Sequence, residues 1–153
     1  MLSDFVLRKG PAMAVSTGST PLPLAGIDHV VLRVKDIEVM LGFYRDVLGC
    51  SVAKHNEPLD LWHLDAGGSM IDLIPVSGKL GSKGGAAPGA EGRNMDHVAL
   101  KVHPFDTDAI LAHLKAHGID SEDVKTRFGA DGEGPSIYMS DPEGNGVELK
   151  GKA

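Results

Sequence analysis

At 153 residues the chain suits one domain or two tightly joined half-domains, and it is long enough to bury a sizeable core. A net charge of -6 with no dense run of Lys and Arg argues against nucleic acid or an anionic membrane surface as the main partner, and for a small molecule or a protein. No apolar run approaches the ~20 residues of a membrane helix, and the single cysteine, Cys50, rules out an intrachain disulfide framework, which fits a reducing, cytoplasmic setting.

In chain order, residues 1–25 mix Ser, Thr, Gly and Pro with scattered apolar residues and read as a flexible N-terminal arm, with Met13 a candidate natural start. The first module, 26–76, opens on the strand DHVVLRV (28–34). A helix over 37–48 follows, carrying Ile37, Met40, Leu41, Tyr44 and Leu48 on one stripe; Asp36 caps it and Gly49 ends it. Strands are expected over roughly 50–56, 60–65 and 69–76. The glycine-rich stretch 77–93 reads as a linker, with a lid over a cleft as the functional alternative. The second module, 94–153, repeats the order: the strand DHVALKV (96–102), a helix over 106–117 between Asp106 and Gly118, and strands near 124–128, 135–140 and 145–150.

The repeat is the strongest signal in the chain. DHVxLxV recurs after 68 residues, and DAGGSMIDL (65–73) matches DPEGNGVEL (141–149) at an offset of 76. Two βαβββ modules follow from this, an α+β fold in which a curved mixed sheet surrounds a cleft. Alternation along a strand assigns faces. Val30, Leu32 and Val34 point to the helix, and so do Val98, Leu100 and Val102. Ile71 with Leu73, and Val147 with Leu149, do the same. His29, Arg33, Asp72, His97, Lys101 and Glu148 then lie on the opposite face. Two histidines and two carboxylates at repeat-related places suit a divalent ion such as Ni, Zn, Mn, Co or Fe(II), because neutral imidazole and carboxylate are borderline-to-hard ligands and no thiolate cage is present.

The arrangement resembles the vicinal oxygen chelate superfamily, which includes glyoxalase I, extradiol dioxygenases, methylmalonyl-CoA epimerase and the fosfomycin and bleomycin resistance proteins. The residues carrying the resemblance are DHVVLRVKDIEVMLGFYRDVLG (28–49), MIDL (70–73), MDHVAL (95–100) and YMSDPEGNGVEL (138–149). It implies metal ligands His29, Asp72, His97 and Glu148, and Lewis-acid stabilisation of an enediolate-type intermediate. The closest motif match is to glyoxalase I, which implies a lactoylglutathione lyase-like isomerisation of a hemithioacetal with Glu148 as general base and Arg33 and Arg93 binding the glutathione adduct. Two departures from that pattern are Asp72, where glyoxalase I has glutamate, and Val76, where it has asparagine. Without Asp72, the set His29, His97 and Glu148 matches Fe(II) dioxygenases and fosfomycin-type thiol transferases, and a non-catalytic drug-binding cleft is the remaining alternative. The resemblance also implies a homodimer, whose site is built within one chain or shared between two.

Overall fold

A computed structural model describes residues 22–152. The expected arm and its candidate start at Met13 therefore lie, up to residue 21, outside the described residues.

The first module runs β1 (His29–Val34), α1 (Ile37–Leu41), β2 (Ser51–Asn56), β3 (Leu61–Asp65) and β4 (Met70–Pro75). The second runs β5 (His97–Lys101), α2 (Thr107–Ala116), β6 (Lys125–Gly129), β7 (Gly132–Ser140) and β8 (Gly146–Lys150). The helix signals act as the residue types require. Asp36 accepts from the Val39 N–H at 3.1 Å and Asp106 from the Ala109 N–H at 3.0 Å, each satisfying an otherwise orphaned donor of a first turn. Beyond Leu41 the first helix continues as a wider π-helical stretch over Gly42–Val47. Gly49 and Gly118 then leave their helices at φ +80 and +69, where a Cβ would be strained.

Each module forms its own mixed sheet, in the orders β1-β4-β3-β2 and β5-β8-β7-β6. The first strand lies parallel to the last, and the remaining pairs are antiparallel. The curved mixed sheet expected from the sequence is thus two open sheets, each ending on its histidine strand. Register repeats between them: His29 opposes Met70 and Val31 opposes Asp72, as His97 opposes Gly146 and Ala99 opposes Glu148. Of the helix-facing set, Leu32, Val34, Ile71 and Leu73 are buried in one core with Met40, Leu41 and Tyr44, and Val147 and Leu149 with Ile137 and Leu114, while Val30, Val98, Leu100 and Val102 are half-buried against it.

The halves are joined by polar contacts as well as by this core. The turn between β7 and β8 folds around Asp141, whose carboxylate accepts from the Glu143 and Asn145 N–H groups at 3.0 and 2.9 Å and from the Asn145 amide at 2.7 Å. It also accepts the buried Tyr44 hydroxyl of the other module at 3.0 Å. Glu143 in the same turn accepts the Lys35 and Asp36 N–H groups at 2.8 and 2.7 Å.

The linker is tied down around residues 81–86. Arg33 holds it: the guanidinium donates to the carbonyls of Gly81, Gly84, Gly85 and Ala86 at 2.8–3.1 Å. Gly81 and Gly84 suit this path because a Cβ would meet the Pro75 carbonyl at 2.0 Å or the Arg33 side chain at 2.4 Å. Arg33→Ala is expected to raise the rate of proteolytic cleavage within 77–93 about tenfold, since four tertiary hydrogen bonds of the segment vanish together. Limited proteolysis followed by mass spectrometry of the fragments checks this; an unchanged cleavage rate would contradict the clamp.

Candidate metal centre

The face of each sheet opposite its helix carries one histidine and one carboxylate close together. In the second sheet His97 Nε2 stands 3.3 Å from Glu148 Oε2. Glu148 is buried, and its other oxygen accepts the Ser136 hydroxyl at 2.5 Å. Tyr138 opposes Glu148 across the β7–β8 pair, and its ring meets His97 edge-on at 5.5 Å. Burial, then a hydrogen bond to Glu148, push the Tyr138 phenol above its ordinary range, with Arg127 pulling the other way.

In the first sheet His29 and Asp72 line one pocket of about 330 Å³ with His63. Asp72 is buried and accepts from His63 Nδ1 at 2.9 Å. His29 is held above the ordinary imidazole range, first by its hydrogen bond to Asp28 and further by the Asp72 charge.

Both histidines share a feature that the face assignment missed. Each is preceded by an aspartate that takes its Nδ1, Asp28 at 2.5 Å and Asp96 at 2.6 Å. A carboxylate on one ring nitrogen fixes the ring and leaves Nε2 as the free donor, the usual outer support of a metal-binding histidine. The repeated dipeptide Asp-His is the sequence signal for it. The His97–Glu148 spacing also suits a shared ion: two donors each about 2.1 Å from a metal, at an angle between tetrahedral and octahedral values, stand about 3.0–3.4 Å apart.

The four expected ligands are brought together as two pairs, not as one set. Among the described residues, no three His, Cys, Asp or Glu side chains gather to hold an ion within one chain. Of the two arginines expected at the site, Arg93 lines the open cleft of about 820 Å³ that also contains His97 and Tyr138. Arg33 does not reach out toward a ligand, because its guanidinium is committed to the linker carbonyls.

Residues 26–149 match the family model of the Glyoxalase/Bleomycin resistance protein/Dioxygenase superfamily. The chain belongs to that superfamily. A virulence protein of Salmonella typhimurium, STM3117, is 32% identical over 126 residues, spanning 80% of this chain and 81% of the relative. Its crystal structure superposes with a TM-score of 0.72 at 28% identity, covering 86% of this chain and all of the other. The human mitochondrial methylmalonyl-CoA epimerase is 24% identical over 149 residues, 90% of this chain and 83% of the relative. The fosfomycin resistance protein FosX of Listeria monocytogenes, crystallised with Mn(II) and sulfate, shares the fold with a TM-score of 0.62 at 18% identity, covering 85% of this chain and 92% of the other. The superfamily thus contains enzymes and metal-binding proteins on this architecture, and no described helix is long and apolar enough to cross a membrane.

Proposed function

We propose that the chain is a divalent-metal-dependent enzyme that takes a proton from a carbon beside a carbonyl and returns it to the adjacent carbon, as in glyoxalase-type isomerisation of a hemithioacetal, or to the opposite face of the same carbon, as in epimerisation of an acyl thioester. The observation carrying this reading is the His97–Glu148 pair, with its nitrogen and oxygen at ligand-to-ligand distance and with Asp96 and Ser136 holding the outer atoms. His29 and Asp72 are the matching pair. His29, Asp72, His97 and Glu148 would hold the ion. Because they stand as two pairs on separate sheets, the site is completed by a second copy, the first-module pair of one chain meeting the second-module pair of the other.

When bound, the ion supplies a Lewis acid for the substrate oxygens. Glu148 takes and returns the proton, and burial beside Tyr138 favours that task by excluding bulk water from its carboxylate. Ser136 donates to this carboxylate and fixes its direction, and Tyr138 stands opposite it across the strand pair. Arg93 stands in the cleft as the group available to an acidic substrate substituent.

A specific observation favours one second reading. Asp72 already accepts from His63, so an ion held by His29, His97 and Glu148 alone is the arrangement suited to a thiol transferase or an Fe(II) dioxygenase.

Chelator-treated protein is expected to regain about one divalent ion per chain, and Glu148→Gln to lower turnover of the methylglyoxal–glutathione adduct, or of a racemic acyl thioester, about 10²–10⁴-fold. Elemental analysis and a coupled assay check both. Full metal content in His97→Ala would remove the metal reading, and full turnover in Glu148→Gln would remove the assigned base.

A further inference from the structure

The metal face of the second sheet continues past Glu148 into a group of cations that the proposed chemistry does not use. Lys101 opposes Lys150 across the β5–β8 pair, in register with Ala99 opposite Glu148 two residues earlier. Both lysines therefore share the face of His97 and Glu148. At ~3.3 Å per residue, Lys150 lies ~7 Å from Glu148 along its strand, and Lys101 ~13 Å from His97 along its own.

These two lysines and Lys152 line a cavity of about 270 Å³, and the β6–β7 hairpin brings Asp131 into it. Lys101 Nζ lies 2.8 Å from Asp131 Oδ2. The Asp131 carboxyl is held below its usual range, first by Lys101 and further by Lys152 and Lys150. Lys150 donates to the Gly151 carbonyl at 2.8 Å and passes over Gly129, where a Cβ would meet its Cε at 3.1 Å. Among the described residues, three lysines thus line one cavity with a single carboxylate, which Lys101 contacts directly, in a chain whose overall charge is -6.

We infer that this pocket binds a phosphate group of an elongated substrate, with the Asp131 carboxylate standing in for it in the free protein. Compact ammonium charges suit a phosphate dianion, which takes several single donors; a lone carboxylate is better matched by a guanidinium fork, and no described arginine lines the cavity. Asp131 sits at the tip of a short hairpin next to Gly132, which adopts φ +89, so its side chain can yield the place without unpairing a sheet. The assignment of the phosphate to a substrate rests on the proposed function, since it places the group on the metal face; the pocket's affinity for phosphate does not.

The test uses metal-free, full-length protein and inorganic phosphate or pyrophosphate as the probe, read by calorimetry and ³¹P line broadening, with acetate as the comparison anion. Pyrophosphate is expected to bind and acetate not to. Lys101→Ala and Lys150→Ala should each weaken pyrophosphate at least about tenfold, and Asp131→Asn should strengthen it about threefold to tenfold, with fold integrity checked by thermal melts. Absence of binding in both the wild type and Asp131→Asn would overturn the inference. So would equal affinity in the wild type and Asp131→Asn, or acetate binding as well as pyrophosphate. Because no metal is present, failure here leaves the metal reading standing, and loss of the metal reading leaves this result intact.

Discussion

Purified heterodimers that pair a His29→Ala chain with a Glu148→Ala chain are expected to bind metal and turn over substrate, although neither variant does so alone. The expectation follows from the two separated pairs. If His29 and Asp72 of one copy meet His97 and Glu148 of the other, a mixed dimer has one site carrying both defects and one carrying neither. Two affinity tags allow the mixed species to be isolated, and its metal content should be about half the wild-type value per chain, against almost none in either parent. Activity should follow the same proportion. A site built within one chain would stay broken in every combination, so a mixed dimer as empty as its parents would exclude sharing.

The second large effect is on stability and lies at Asp141. Its carboxylate is almost fully buried and joins the Tyr44 hydroxyl of the first module to three donors of its own turn. Asp141→Ala leaves those donors without an acceptor, and each stranded buried group costs about 1–3 kcal/mol. A loss of at least about 3 kcal/mol is therefore expected by urea denaturation, against about 1 kcal/mol for Tyr44→Phe, which removes one donor and leaves the turn satisfied. The pair also predicts a pH signature. Burial, and then the Asp141 charge, push the Tyr44 phenol far above its ordinary value of 10.0. In the unfolded chain the phenol ionises near that value while in the folded chain it stays neutral. The stability this group contributes is present below about pH 10 and is lost as pH rises further, by about 1.4 kcal/mol per unit. Tyr44→Phe should flatten that alkaline decline, and melts taken between pH 8 and 11 would show it. Equal slopes in both proteins would contradict the assignment.

Much of this architecture can be read from side-chain period and punctuation. Leu32, Val34, Ile71 and Val147 are buried as alternation requires, and Asp36, Asp106, Gly49 and Gly118 bound the helices for the local reasons their chemistry provides. The middle strands were harder. A constant offset pairs Asp65 with Asp141, but in the sheets Asp65 opposes Met70 whereas Ser140 opposes Gly146, because the second turn is longer by one residue. One residue moves a strand to its other face, and for that reason His63 and Tyr138 could not be placed beside Asp72 and Glu148 from spacing alone. Arg33 is legible as a cation on the histidine face but not as a linker clamp, since that role depends on the path of residues 81–86, which carry no periodic signal. Whether two pairs make one site depends on contacts between modules, or between copies, that no local pattern encodes.

That longer turn has a chemical consequence. In a strictly duplicated protein the two modules would set identical groups beside their carboxylates. Here the first module sets an imidazole, His63, against its carboxylate, and the second sets a phenol, Tyr138, opposite its own. The duplication supplies near-symmetry and the inserted residue breaks it, so Asp72 and Glu148 sit in chemically unlike settings, one beside a basic ring and the other beside a weakly acidic one.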